Sequence, residues 1–122
     1  MNYEDYDIIE VPLRELRPMV EAEAWPPVLE SIKERGLEHP IVAIWTDATK
    51  WAEEKRNKYP QILDAPAINF RFLQVRFGHN RLRAYKELGK ETIPCIIAEN
   101  AEEAASIGKE QAKWQKQNLG PL

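Results

Sequence analysis

Cysteine occurs once in the 122 residues, at Cys95. One thiol closes no internal disulfide and builds no zinc site, so the chain reads as one made for a reducing cytoplasm. No apolar run approaches the ~20 residues that cross a bilayer, so no membrane partner is expected. The opening Met1-Asn2-Tyr3-Glu4-Asp5-Tyr6-Asp7 is acidic and lacks a signal-peptide pattern. Positive charge is in deficit: 17 Lys and Arg stand against 20 Asp and Glu, for a net of −3. A stand-alone duplex-DNA binder draws its affinity from many phosphate contacts, so this balance speaks against direct duplex binding. Repeats, low-complexity tracts, a serine nucleophile elbow, a Walker loop and a clustered metal-ligand set are all missing. No metal site is expected.

What is present centres on Gly78. The β-rich run Phe70 to Phe77 stops at this glycine, and a helix-compatible run starts at once. Leu82, Tyr85 and Leu88 fall at helical spacing, and Gly89 stands where a C-terminal glycine cap belongs. Gly78 therefore sits in a strand-to-helix turn, with His79, Asn80 and Arg81 at the helix start. Unpaired N–H groups and the positive end of the helix dipole favour an anion there, and an arginine adds a planar fork for oxyanions. Residues 71–90 hold six basic residues and one acid, a local net of +5 that leaves −8 for the remainder. A basic segment inside an acidic chain is focused on something small and anionic, such as a nucleotide phosphate.

The rest reads as one domain, residues 1–122, with a modest core. Ile8 to Val11 is an opening strand stopped by Pro12, and Leu13 to Glu23 looks irregular. Trp25-Pro26-Pro27 suits the first turn of a helix that Gly36 ends, and Pro40 to Trp45 reads as a buried strand. Residues 46–69 look inserted: Thr46 or Asp47 caps a short helix through Tyr59, with Trp51 and Tyr59 facing inward. Thr92 to Ala98 is another strand, in which Pro94 marks an edge or irregular position. Asn100 and Glu103 form a capping-box-like pair for a last helix, fixed to the body by Ile107 and Trp114. Trp25 and Trp45 read as packing residues. The fold class is α+β, a small mixed β-sheet with helices packed on it.

Four segments, in this order, resemble the ParB/sulfiredoxin superfamily, including the ParB-like "nuclease" domains frequent in phages and plasmids. They are Val11 to Pro18, Ser31 to Val42, Gly78-His79-Asn80-Arg81-Leu82-Arg83-Ala84, and Leu88 through Ile97. Together they cover about three quarters of the chain and leave out 46–69. The resemblance implies a ParB/sulfiredoxin-like fold and a phosphate box at Gly78. Sulfiredoxins place a catalytic cysteine after the box glycine, where this chain has His79, so that chemistry is not expected. Chromosome-partitioning ParB proteins carry an acidic residue and two arginines there and bind CTP; His79-Asn80-Arg81 keeps the last arginine, and Arg83 matches another. Free serine kinases of this fold share glycine-histidine-polar-arginine but have an aspartate where Phe77 stands.

Gly78, His79, Asn80, Arg81 and Arg83 are accordingly expected to bind nucleotide phosphate, with ATP or CTP and magnesium as the cofactors implied. His79 is also a possible general acid, and Glu21 and Glu23 are candidate catalytic carboxylates. His39 is a possible base or ribose contact. The leading expectation is a nucleotide-binding module beside DNA transactions, with NTP hydrolysis or phosphoryl transfer left open. The alternative is a non-enzymatic adaptor that grips a protein through 46–69. A nuclease fits worst, because no acidic pair with metal-ligand spacing stands beside the basic box.

Overall fold

The structure, a computed structural model, describes residues 5–36 and 39–118, with side chains as far as 113. Its elements follow from local signals. β1 (Ile8–Pro12) leads through a 3-10 turn at Leu13–Glu15 into β2 (Leu16–Pro18). Helix α1 (Pro26–Arg35) begins with two prolines whose missing N–H groups would be unpaired there anyway, and Gly36 closes it at φ +74°. β3 (Ile41–Thr46) precedes α2 (Ala48–Asn57), whose N-cap Asp47 accepts from the Lys50 N–H at 2.9 Å. β4 (Phe72–Phe77), α3 (His79–Glu87), β5 (Thr92–Ala98) and α4 (Ala101–Asn118) complete the chain. At the start of α4, Asn100 Oδ1 accepts from the Glu103 N–H at 2.8 Å, and Glu103 reaches back to the Glu99 N–H.

The strands form one mixed sheet in the order β1-β5-β3-β4-β2. The outer β1–β5 pair and the inner β3–β4 pair are antiparallel, while β3–β5 and β2–β4 are parallel. The fold class read from the sequence is the one observed. Ile41, Ala43, Leu73, Val75, Ile93 and Cys95 line one face and pack beneath Leu82 of α3. Val42, Ile44, Ile96 and Ala98 line the other, beneath Ala104 and Ile107 of α4. At one end Met19, Trp51, Ile62 and Phe72 make a third cluster, which ties the segment around α2 to the sheet. Each fully buried aliphatic side chain contributes about 1.5–3 kcal/mol, so the strands need no other reason to stack as they do.

Several expectations are corrected. Leu13 to Glu23 is not wholly irregular: Leu16–Pro18 pairs with Leu73–Val75 as a three-residue edge strand. Tyr59 does not face inward; α2 ends at Asn57, and Tyr59 lies in a wide turn with its N–H on the Glu54 carbonyl, 40% exposed. Trp25 and Trp45 are exposed at 38% and 47%, the latter under the Arg71 guanidinium 5.8 Å from its ring centre. Trp51 is the tryptophan that packs, at 2%. Pro94 sits on an interior strand, paired in register with Glu10 of β1 and one residue before the β3 ladder begins at Ile41 and Cys95, so it marks neither an edge strand nor a break in the register. The expectation for Trp114, and anything beyond Asn118, lies outside the described side chains and residues.

Candidate functional site

Gly78 lies between β4 and α3 with φ +97°, a conformation that side chains rarely adopt. A Cβ at this position would also stand 2.6 Å from Ile41 Cγ2. Two independent constraints thus demand glycine at the turn. The Leu82 N–H closes the first helical bond on the Gly78 carbonyl, and among the described residues no side chain caps the N–H groups ahead of it. The first turn of α3 is therefore an uncapped cluster of donors at the positive end of a helix.

The polar side chains of this turn divide by direction. Asn80 is exposed, and so is Arg83, whose side chain keeps 54% of its surface and stands 3.5 Å from Glu87 one turn on. Arg81 turns inward. Its Nη1 donates to the His39 carbonyl at 2.9 Å and the Pro40 carbonyl at 3.0 Å, and its Nη2 donates to Gln111 Oε1 at 2.8 Å. Gln111 is 5% exposed and returns its own Nε2 to the Pro40 carbonyl at 2.9 Å. The guanidinium thereby binds α3 to the entry of β3 and to α4 at once.

His79 turns the other way. The Met19 N–H donates to its Nε2 at 3.0 Å, so that nitrogen carries no proton and the ring is neutral. Burial pushes its pKa down to about 4, against a backbone hydrogen bond with Val75 that favours protonation; Arg81 and Arg76 push it down further. In this structure His79 is thus a hydrogen-bond acceptor at Nε2.

The remaining candidates are more scattered. His39 is partly buried, and its carbonyl is the group that Arg81 takes. Glu21 and Glu23 are exposed on the segment that leaves Met19, which the His79 bond tethers to the turn. Among the described residues no three of His, Cys, Asp and Glu are grouped to hold a metal ion. Arg76, two residues before Gly78, forms a two-pronged ion pair with Glu54 of α2 and keeps 7% of its side-chain surface. The outward charge of the basic segment is thus carried by Arg71, Arg83, Lys86 and Lys90.

Sequence reasoning missed Gln111, Gly108 and Met19. A Cβ at Gly108 would stand 2.5 Å from the Phe77 ring, so α4 crosses the end of β4 at a distance that only glycine permits. A glycine inside a helical pattern was the available signal. Gln111 and the Met19 peptide offered none. Among the described residues no helix is long and apolar enough to cross a membrane.

The family model for the ParB N-terminal domain matches residues 5–110. Among solved structures, sulfiredoxin from Arabidopsis thaliana is similar at 21% identity and a TM-score of 0.48, over 84% of this chain and 97% of that one. The C-terminally truncated chromosome-partitioning protein ParB from Caulobacter crescentus, complexed with CTP-γ-S, is similar at 18% identity and a TM-score of 0.50. That match spans 95% of this chain and 54% of that one, and at this identity it shows a shared fold. No curated protein matches the chain.

Proposed function

Because this chain belongs to the family of ParB N-terminal domains, we propose that it is a nucleotide-binding module that receives phosphate at the Gly78 turn. The observation that carries this reading is the uncapped first turn of α3, which starts at a glycine required both by its positive φ and by the closeness of Ile41. Backbone N–H groups of the turn, with the outward Asn80 and Arg83, are the direct phosphate contacts. His79 and Arg81 belong to the same site as its frame: they shape the turn from behind and leave its donors facing outward. The Caulobacter crescentus relative is solved with CTP-γ-S, which makes CTP the first nucleotide to test and ATP the second.

Magnesium would have to arrive on the triphosphate, whose oxygens supply ligands of their own. Glu21 and Glu23 are exposed carboxylates on the segment that leaves the tether at Met19, and they are the groups we assign to take a proton if the nucleotide is turned over. The setting is the cytoplasm, beside DNA transactions. A second reading, a protein-binding adaptor, is favoured by the exposed Tyr59 within the inserted segment and the exposed Phe70 just after it.

Thermal shift and calorimetry with CTP, ATP and GTP, each with and without magnesium, test the proposal. At 100 times the dissociation constant one bound ligand stabilises by about 2.7 kcal/mol. Arg83→Ala is expected to weaken binding about tenfold with the melting temperature of the free protein unchanged. No shift with any nucleotide would end this reading and leave the adaptor.

A further inference from the structure

The segment around α2 does not merely decorate the sheet, because an unbroken series of hydrogen bonds leads from it to the Gly78 turn. Trp51 Nε1 donates to the Leu63 carbonyl at 2.7 Å. The Leu63 N–H donates to the Met19 carbonyl at 3.0 Å. On the other side of the same residue, the Met19 N–H donates to His79 Nε2 at 3.0 Å. The Met19 side chain meanwhile packs with Trp51, Ile62 and Phe72, so the residue is gripped by its backbone and by its side chain. A second tie runs in parallel: Glu54 of α2 takes both prongs of Arg76 on the strand that ends in Gly78.

We infer that residues 46–69 are a positioning element for the nucleotide turn, acting through Met19 on His79. Trp51 is the positioning residue, and the deepening rests on the reading of the Gly78 turn as the nucleotide site. His79 is the first residue of α3, so any shift of Met19 tilts the ring and the N–H groups that start the helix. A buried, neutral imidazole is suited to this task, since its unprotonated Nε2 can accept the peptide N–H, which a protonated ring could not. A protein that grips the inserted segment would act on nucleotide affinity by this route.

Trp51→Phe tests the inference, since it keeps the ring in the cluster and deletes the indole N–H. NMR of the full chain would read two signals: the pKa and tautomer of the His79 ring, and exchange protection of the Met19 amide. The charges that act on His79 are Arg81 on α3 and Arg76 on β4, and both remain in the variant. The expected result is a His79 pKa raised by at least one unit from about 4, with Met19 protection reduced at least tenfold. Ile62→Val, a milder loosening of the same cluster, should move both signals the same way by less, and it serves if Trp51→Phe does not fold. Ile107→Val, which loosens the α4 face, should move neither. A Trp51→Phe protein that melts earlier with the His79 titration and Met19 protection unchanged would overturn the inference. CTP affinity is read alongside, with about a fivefold loss expected in Trp51→Phe. If His79 moves and the parent protein binds no nucleotide, the positioning stands and the nucleotide reading fails.

Discussion

His79 and Arg81 stand two residues apart on the first turn of α3 and leave it towards opposite neighbours. Arg81 is a charged donor that gathers two carbonyls and a buried glutamine, joining α3 to β3 and α4. His79 is a neutral acceptor that takes one peptide N–H, joining α3 to the Met19 loop and the inserted segment. Two residues of helix rotate the side-chain direction by about 200°, which is why neighbours in sequence become opposite braces in space. The difference teaches how one turn can be held firmly on one flank and adjustably on the other. The Arg81 flank gathers three acceptors with one cation, whereas the His79 flank reaches Met19 through one bond that depends on a second segment being in place.

Removing the firm brace should have the largest effect. Arg81→Ala leaves the His39 and Pro40 carbonyls and Gln111 without their shared donor, and hydrogen bonds to a charged group are worth about 1.5–3 kcal/mol. We expect a loss of about 3 kcal/mol in denaturant unfolding, with Arg81→Lys recovering only part because a point charge cannot fork. An unchanged midpoint for Arg81→Ala would return this arginine to the role of a ligand contact.

The adjustable brace should give way to acid. In the unfolded chain His79 takes up its proton near its ordinary value of 6.5, whereas in the folded chain burial delays uptake to about 4. The stability that neutral His79 contributes is therefore complete above pH 6.5 and is lost as the pH falls towards 4. After a discount for the part of the ring that water reaches, the loss is about 2 kcal/mol. Urea unfolding at half-unit pH steps, with His79→Gln as the comparison, should show this slope in the parent and a flatter one in the variant. The same slope in both would place the acid sensitivity elsewhere.

The smallest stability effect belongs to the outward side of the turn. Arg83 faces only Glu87, in an exposed pair 3.5 Å apart. Arg83→Ala should shift unfolding by less than ~0.5 kcal/mol. A larger loss would make Arg83 a third brace and would blur the contrast between frame and contact surface.

The parts of this molecule that sequence reasoning reached are those set by nearby residues. Gly78, the Asp47 cap, the Asn100–Glu103 box and the apolar strands carry their signals within a few positions of themselves. The inward turn of the site residues was out of reach, because their partners lie far off: 60 residues separate His79 from Met19, and 30 separate Arg81 from Gln111. A polar residue beside a glycine turn looks the same in sequence whether it meets a ligand or a carbonyl. β2 was hidden for a related reason. Three residues, with a proline among them, have no periodicity to show, and they become a strand only because β4 offers a free edge.

Cys95 has a practical consequence. Its thiol is fully buried in the centre of the sheet, and burial pushes its pKa up to about 12, so at neutral pH the native protein offers alkylating reagents almost no thiolate. It is also the only cysteine in the chain. The native molecule is in effect a silent background for spectroscopy. A cysteine placed at exposed Lys58 of the inserted segment and another at exposed Lys86 of α3, the helix the turn begins, would take spin labels or dyes with the native thiol left untouched. The distance between inserted segment and turn could then be followed in solution as nucleotide is added, in a protein that needs no cysteine removed first.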